Sequence, residues 1–301
     1  MRVAAIDIGT NSMRLLVLDA DAGELERRQR VTGLGRGVDA TGRLGDEAME
    51  RTLEVLEGFG SVMATLDVDR VRAVATSACR DAANREEFFD RAEAALGVRP
   101  ELISGREEAE LAYRGATADA PGPGPFLVVD IGGGSTEFVW EEDGRVTGRS
   151  IQVGSVRLTE RLLPDRPATF DDLATAARHT EGLFVRAEIP KEGHRVIGVA
   201  GTWTSLAAIA LGLDAYDRTR VHHAVLTRID VERLVERLAA LTVAETAAIP
   251  ALDPARAPVI LAGAVIAREA MRRVAVTEVL VSEHDLLDGV AAALLEDAPL
   301  A

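Results

Sequence analysis

One strand-turn-strand pattern occurs twice in this chain, and its equivalent positions Asp7 and Asp130 lie 123 residues apart. In residues 3–12 and again in residues 126–135, an apolar strand leads to an aspartate, an apolar residue, a glycine and a turn that ends in serine. A second apolar strand follows each turn. Two copies at the spacing of a domain predict two similar domains facing each other across a cleft. The alternative is a chance likeness of two hairpins.

A proline-glycine segment separates the two copies. Residues 120–125 read Ala-Pro-Gly-Pro-Gly-Pro, which cannot continue a helix and offers few side chains for packing. This segment predicts a linker or a sharp domain crossing, with a first domain at residues 1–124 and a second at residues 125–283. Strands and helices alternate on both sides of the segment, which indicates an α/β architecture.

The charge balance restricts the partners that the protein can have. Acidic residues outnumber basic residues by 49 to 34, which gives a formal net charge of −15. This balance argues against broad electrostatic binding to nucleic acid or to an anionic membrane, although a local cationic pocket for an anion stays open. The apolar run at residues 257–267 is too short to span a bilayer. We therefore expect a soluble cytoplasmic protein with neither nucleic acid nor membrane as its partner.

The two repeated turns have the composition of phosphate-binding loops. Gly9 and Gly132 lack a Cβ atom, so backbone N–H groups can approach an anion closely, and neighbouring hydroxyl and amide side chains add donors. The residues predicted to bind phosphate in these turns are Gly9, Thr10, Asn11, Ser12, Gly132, Gly133, Gly134, Ser135 and Thr136. Such loops need little positive side-chain charge, which reconciles phosphate binding with an acidic protein.

A third loop of this kind follows the predicted strand at residues 196–199. Gly201 and Thr202 lie where that strand passes into a helix predicted from Trp203, so free amides at the helix N-terminus can bind a further phosphate. The alternative is an ordinary loop with a threonine cap.

Three acids are predicted to hold a divalent cation. A carboxylate immediately before a phosphate loop repels the phosphate unless a cation lies between them, so Asp7 and Asp130 are candidate Mg²⁺ ligands. Glu137 is a third candidate, either as a ligand through water or for positioning an attacking water. Mn²⁺ is the alternative ion, and the alternative role of each aspartate is to cap a turn.

Glu108 is the candidate general base. It lies in a predicted helix and shares a face with the small or apolar residues Leu111, Ala112 and Gly115. Partial desolvation on that face makes a carboxylate a better acceptor for a proton from water. Arg80 follows a predicted strand and suits a phosphate contact, while its alternative partner is Asp81 or a nearby glutamate.

Two further residue types give no catalytic or metal signal. Cys79 is the sole cysteine, and no histidine lies close to it in sequence, so we do not expect a nucleophilic thiol. The histidines have no spacing typical of metal ligands and are interpreted as surface or core residues. They are His179, His194, His222, His223 and His284.

Several segments in the same order resemble the exopolyphosphatase/guanosine-pentaphosphate phosphatase (Ppx/GppA) family, within the actin-like and Hsp70-like ATPase superfamily. They spread over nearly the whole chain. These segments are residues 5–12, 75–78, 103–109, 129–137 and 201–202.

The resemblance implies two ribonuclease-H-like (actin-like) domains flanking a cleft, with a C-terminal helix at about residues 284–301 joined to the first domain. It implies metal-dependent hydrolysis of the terminal phosphoanhydride of inorganic polyphosphate, with Glu108 as the base and a homodimer as the assembly. Trp203 and residues 282–289 depart from the family pattern. Longer relatives also carry a further C-terminal helical region that this chain lacks.

Two other functions stay open at this stage. A guanosine pentaphosphate 5′-phosphohydrolase places a terminal phosphate in the same loops. A non-catalytic regulator that binds guanosine tetra- or pentaphosphate or polyphosphate is a candidate from a different class.

Overall fold

The computed structural model describes residues 1–296, which form an α/β structure divided into two compact units. Unit 1 contains Met1–Gly115 and the segment from Asp285 onward, and unit 2 contains Ala116–His284. The proline-glycine segment therefore lies within unit 2. No helix in the described part of the chain is long and apolar enough to cross a membrane.

Unit 1 is built on a five-stranded mixed sheet with the strand order β3-β2-β1-β4-β5. The strands are β1 (Arg2–Ile8), β2 (Ser12–Asp19), β3 (Gly23–Val31), β4 (Arg70–Ala75) and β5 (Glu101–Leu102). The first three strands are antiparallel, while β1, β4 and β5 run parallel. This order and these directions are those of a ribonuclease-H-like domain, as predicted.

Helices cover both faces of the unit 1 sheet. They are α1 (Val38–Thr41), α2 (Asp46–Thr65), α3 (Ser77–Asp81), α4 (Arg85–Leu96), α5 (Gly105–Thr117) and, from the end of the chain, α13 (Leu286–Glu296). The apolar residues of α2 and α4 pack on one face of the sheet. On the other face, Ala5, Leu16 and Val74 contact apolar residues of α5 and α13. Because successive side chains of a strand point to opposite faces of the sheet, the strands contribute apolar residues to two separate cores.

Unit 2 repeats this arrangement in a six-stranded sheet with the order β10-β11-β9-β6-β7-β8. The strands are β6 (Phe126–Ile131), β7 (Thr136–Glu142), β8 (Arg145–Ile151), β9 (Arg195–Val199), β10 (Val225–Thr227) and β11 (Glu278–Val281). The helices are α6 (Ser155–Leu162), α7 (Phe170–Arg186), α8 (Ala200–Ala210), α9 (Arg218–Val221), α10 (Arg228–Ala239), α11 (Val243–Ala247) and α12 (Ile260–Arg273). Apart from the added strand β10, the sheet has the same order as that of unit 1.

The repeated sequence pattern forms the same turn in both units. The Gly9 amide donates to the Ser12 carbonyl at 3.1 Å, and the Gly132 amide donates to the Ser135 carbonyl at the same distance. A Cβ atom at Gly9 would lie 2.9 Å from the Ser12 oxygen, so this tight turn requires glycine. The likeness seen in the sequence is therefore one of backbone geometry.

Two helices of unit 1 cross at unusually close range. A Cβ atom at Gly289 of α13 would overlap the backbone carbonyl of Leu111 in α5, and one at Gly115 would overlap the backbone of Asp285. Glycine is needed at both positions because the two backbones lie so close together that no side chain fits between them.

Replacing Gly289 by alanine is expected to destabilise the protein by about 2–3 kcal/mol, because an added methyl group forces α13 away from α5. Gly58→Ala in α2 is the matched control. A Cβ atom there meets open space, so the better helix propensity of alanine is expected to stabilise by up to about 1 kcal/mol. Urea denaturation followed by circular dichroism measures both effects. Equal midpoints for the two variants would contradict the close crossing.

Candidate functional site

Within each unit, the predicted site residues follow the carboxyl ends of neighbouring parallel strands. In unit 1, Ile8 pairs with Ala75, and Ala75 pairs with Leu102, so the loops after β1, β4 and β5 meet at one edge of the sheet. In unit 2, Asp130 pairs with Val199, which places the loops after β6 and β9 at one edge. This edge is the usual ligand-binding position in sheets of parallel strands.

The hairpin turn of unit 1 presents polar groups that have no partner in the protein. Thr10 and Asn11 are buried. The backbone carbonyl of Asn11 accepts hydrogen bonds from the amides of Thr32 and Gly33. The side-chain amide atoms Nδ2 and Oδ1 of Asn11 make no hydrogen bond within residues 1–296. A buried amide without a partner costs free energy, so this side chain is suited to an external polar ligand.

A buried ion-pair network lies directly behind this turn. Arg14 donates to Asp7 Oδ2 from Nε at 2.9 Å and from Nη2 at 2.7 Å, and its Nη1 donates to Asp285 Oδ2. Although burial opposes its charge, the carboxylates of Asp285 and Asp7 raise the pKa of Arg14. Burial raises the pKa of the Asp7 carboxyl, an effect that the Arg14 ion pair partly offsets. Asp7 Oδ1 is buried and has no hydrogen-bond partner among the described residues.

Sequence reasoning missed the role of Arg14. The predicted hairpin contained the necessary signal, because its register places Asp7 directly opposite Arg14 on the neighbouring strand. Arg14 thus supplies part of the positive charge that Asp7 was predicted to need. Asp7 still offers one unpartnered oxygen to a metal ion.

Glu108 lies in the first turn of α5 and is buried. Arg80 donates from Nη1 to Glu108 Oε2 at 2.7 Å and to the Ile103 carbonyl at 3.2 Å. The alternative partner expected for Arg80, a nearby glutamate, is therefore the one observed. Arg80 Nη2 remains buried without a hydrogen-bond partner in residues 1–296. One edge of the guanidinium thus orients Glu108, and the other can still donate to an anion.

The glycine turn of unit 2 is held by the start of α6. The amides of Ser155 and Val156 donate to the carbonyls of Gly132 and Gly133, each at 2.9 Å, and Arg157 Nε donates to the Gly134 carbonyl at 2.8 Å. A Cβ atom at Gly154 would overlap the Gly133 carbonyl. These carbonyls are therefore turned toward α6.

The amide groups of the same turn are left for a ligand. The N–H groups of Gly133 and Gly134 have no backbone acceptor within the described residues. Successive free amides of this kind form a concave site for an anion. Ser135 and Thr136 are both buried, and the Thr136 hydroxyl donates to the Val153 carbonyl at 2.6 Å. Thr136 therefore stabilises the turn rather than offering its hydroxyl to a ligand.

An acid pair takes the place in unit 2 that the Asp7–Arg14 pair takes in unit 1. Asp130 pairs with Glu137 across the strands in the same register, and both are buried. Glu137 Oε1 accepts a hydrogen bond from Ser150 Oγ at 2.6 Å. Two carboxylates directly opposite each other on adjacent strands repel, and a bound cation offsets this repulsion. These oxygens are suited to a hard divalent ion.

The third predicted loop, Gly201–Thr202, lies inside a helix rather than before one. Helix α8 begins at Ala200, three residues earlier than predicted, and Ala200 has the left-handed φ of 67°. Thr202 Oγ1 donates to the Ile131 carbonyl at 3.0 Å, which joins this loop to the glycine turn. A Cβ atom at Gly201 would overlap the guanidinium of Arg256. Sequence reasoning missed this buried arginine because nothing local links residue 256 to residue 201.

Cys79 has none of the properties of a nucleophile. It is fully buried, and burial raises the pKa of its thiol to about 12. The thiolate is therefore negligible at neutral pH.

Comparison with known proteins gives consistent relatives over the whole chain. The profile of the Ppx/GppA phosphatase family matches residues 16–298. Exopolyphosphatase 2 of Mycobacterium tuberculosis is 43% identical over 313 aligned residues, which cover 97% of this chain and 98% of that protein. A crystal structure of an Aquifex aeolicus Ppx/GppA family member is 32% identical, covers 99% of both chains and has a TM-score of 0.82. An exopolyphosphatase structure from Cytophaga hutchinsonii is 27% identical, with 99% coverage of both chains and a TM-score of 0.89.

The variant Arg14→Gln is expected to destabilise the protein by about 3–5 kcal/mol, because it leaves the carboxylates of Asp7 and Asp285 buried without a cation. The loss should shrink at acidic pH, where protonation of Asp7 removes one uncompensated charge. Arg99→Gln is the control, because Arg99 also pairs with several acids but lies at the surface, where little change is expected. Denaturation midpoints at two pH values measure the difference. Equal losses for the two variants would refute the proposed importance of burial.

Proposed function

The chain belongs to the Ppx/GppA phosphatase family, and on this premise we propose that it is an exopolyphosphatase. In this reaction, a water oxygen attacks the terminal phosphorus of inorganic polyphosphate, and the bond to the bridging oxygen breaks. Orthophosphate and a chain shorter by one phosphate are released. The observation that carries the proposal is the buried Glu108–Arg80 pair, which lies at the same sheet edge as a turn with unpartnered polar groups.

Glu108 is proposed as the general base. Its carboxylate is held by Arg80, which fixes the orientation of the group toward an attacking water. The shortened polyphosphate is a good leaving group, so no strong general acid is needed. The proposed role of Arg80 Nη2 is to donate to a phosphate oxygen while Nη1 remains on Glu108, and its lack of a hydrogen-bond partner among the described residues supports this role.

Both hairpin turns are proposed to bind phosphate oxygens. In unit 1, the donors are the backbone and side chains of Thr10, Asn11 and Ser12. In unit 2, they are the amides of Gly133 and Gly134. Polyphosphate is a repeating anion, so main-chain donors that recognise any phosphate group suit it. The net charge of −15 supports selection of such a substrate by local donors rather than by a broad positive field.

A divalent cation belongs to this reaction, as it does for phosphatases of this family. Each unit offers hard oxygen donors that fit such an ion. In unit 2, Asp130 and Glu137 form a buried acid pair, and in unit 1, Asp7 Oδ1 lacks a partner among the described residues. When bound, the ion neutralises charge on the phosphate. We propose Mg²⁺, with Mn²⁺ as the alternative. A cytoplasmic location and a homodimer are further parts of the proposal. The location rests on the charge and apolar pattern of the sequence, and the homodimer rests on the resemblance.

Glu108→Gln is expected to lower phosphate release from polyphosphate by at least about 100-fold, because the amide cannot accept a proton from water. Binding of polyphosphate should persist, since the phosphate donors are unchanged. Glu110→Gln is the control, as Glu110 lies on the same helix and pairs with Arg106 at the surface. Malachite-green detection of phosphate measures turnover on polyphosphates of several lengths. Normal turnover by Glu108→Gln would exclude Glu108 as the base.

The same assay separates the related functions. Preferred release from guanosine pentaphosphate would assign the protein as a 5′-phosphohydrolase, and tight binding without release would assign it as a regulator.

Glu137→Gln is expected to raise the Mg²⁺ concentration needed for half-maximal activity by at least about tenfold, because it removes one charged ligand of the proposed ion. The variant should retain its fold, since the amide can still accept the hydrogen bond from Ser150. Glu142→Gln, at the exposed end of the same strand, is the control. Titration of activity with Mg²⁺ and with Mn²⁺ measures the shift. An unchanged metal requirement would remove Glu137 from the proposed ligand set.

A further inference from the structure

Three histidines and one aspartate of unit 2 form a cluster of side chains. We propose that this His/Asp cluster, formed by Asp119, His222, His223 and His284, binds a transition-metal ion of the Zn²⁺ type. Asp119 Oδ2 lies 2.9 Å from His222 Nε2 and 3.1 Å from His284 Nδ1. One ligand atom from each of these three residues lies within 4.8 Å of the others.

These distances match the requirements of a small tetrahedral site. Metal-ligand bonds of about 2.0–2.1 Å place neighbouring ligand atoms roughly 3.3 Å apart. Two imidazole nitrogens and one carboxylate oxygen favour Zn²⁺, Co²⁺ or Ni²⁺ over Mg²⁺, which prefers oxygen ligands. The set therefore differs in chemistry from the oxygen donors at Asp130 and Glu137.

His223 supplies a further candidate nitrogen. Its ring stacks on that of His222, with the centroids 3.7 Å apart, and its Nε2 lies 3.7 Å from Asp119 Oδ1. That nitrogen is buried and has no hydrogen-bond partner within residues 1–296. His223 also has a φ of 63°, a backbone conformation that side-chain-bearing residues rarely adopt. Strain of this kind tends to persist where a site requires it.

The hydrogen bonds of His222 give metal binding a distinct signature. Nδ1 accepts the amide of Glu283 at 3.1 Å, so the ring proton lies on Nε2 and faces Asp119. A metal ion at Nε2 takes the place of that proton, which moves to Nδ1 and breaks the hydrogen bond from Glu283. Binding should therefore alter the environment of the Glu283 amide.

The cluster lies at the two points where the chain enters and leaves unit 2. Asp119 follows the boundary at Gly115–Ala116 by a few residues, and His284 is the last residue before the boundary at Asp285. An ion held by both residues would fasten these two segments of unit 2 together. None of the four residues has a part in the proposed phosphatase reaction.

Titration of the full chain with Co²⁺, followed by the visible absorption of the ion, tests the proposal. We expect one ion per chain with the intense spectrum of a tetrahedral nitrogen-ligated site, which Zn²⁺ displaces and millimolar Mg²⁺ does not. His222→Gln and His284→Gln should each weaken binding by at least about tenfold. His179→Gln, a change on helix α7, is the control and should bind as the parent protein does.

Two further variants and two further measurements complete the test. Asp119→Asn replaces an accessible side chain, so it tests the site even if a histidine variant fails to fold. In the parent protein, Zn²⁺ should raise the unfolding temperature and shift the Glu283 amide resonance, and the variants should lose both effects. Two results would overturn the proposal. One is a parent protein that shows no Co²⁺ absorption, and the other is an unchanged absorption in the His222→Gln/His284→Gln double variant. If the cluster binds no metal ion, phosphate release from polyphosphate is unaffected, so this result is distinguishable from failure of the proposed function.

Discussion

A buried arginine paired with two aspartates stabilises the region of unit 1 that contains the hairpin turn. Arg14 fixes one oxygen of Asp7 through two hydrogen bonds and reaches Asp285, which immediately precedes the C-terminal helix. The charges compensate one another in a place where none of them could be buried alone. The network therefore joins three parts of unit 1: the strand before the hairpin turn, the strand after it, and the residue that precedes helix α13.

The same hairpin serves two different electrostatic purposes in the two units. The turns share their closing hydrogen bond and their register, yet the residue opposite the aspartate is Arg14 in unit 1 and Glu137 in unit 2. In the first hairpin, the side chain of Arg14 provides a cation. The second hairpin places two acids, Asp130 and Glu137, opposite each other. A duplicated backbone can thus carry a different charge at the same cross-strand position in each copy.

The sequence predicted features that depend on local pattern. The repeat predicted both hairpins, and the helical face of Glu108 predicted its burial, because turn chemistry and periodicity act over a few residues. Long-range partners could not be predicted in this way. Asp285 lies far from Arg14 in sequence, and residues 282–289 were seen only to depart from the family pattern. The histidines that form the cluster with Asp119 likewise showed no local spacing, because the fold rather than the sequence brings them together.

The division of unit 1 into two stretches of sequence has a consequence for synthesis on the ribosome. Unit 2 is continuous and is complete once His284 has emerged, whereas unit 1 lacks Asp285 and helix α13 until the segment after His284 has been made. Until then, one face of the first sheet is covered by α5 without α13, and Arg14 has only one of its two acidic partners. Unit 1 can therefore be completed only after all of unit 2 has been synthesised, although domains usually fold in the order in which they are made.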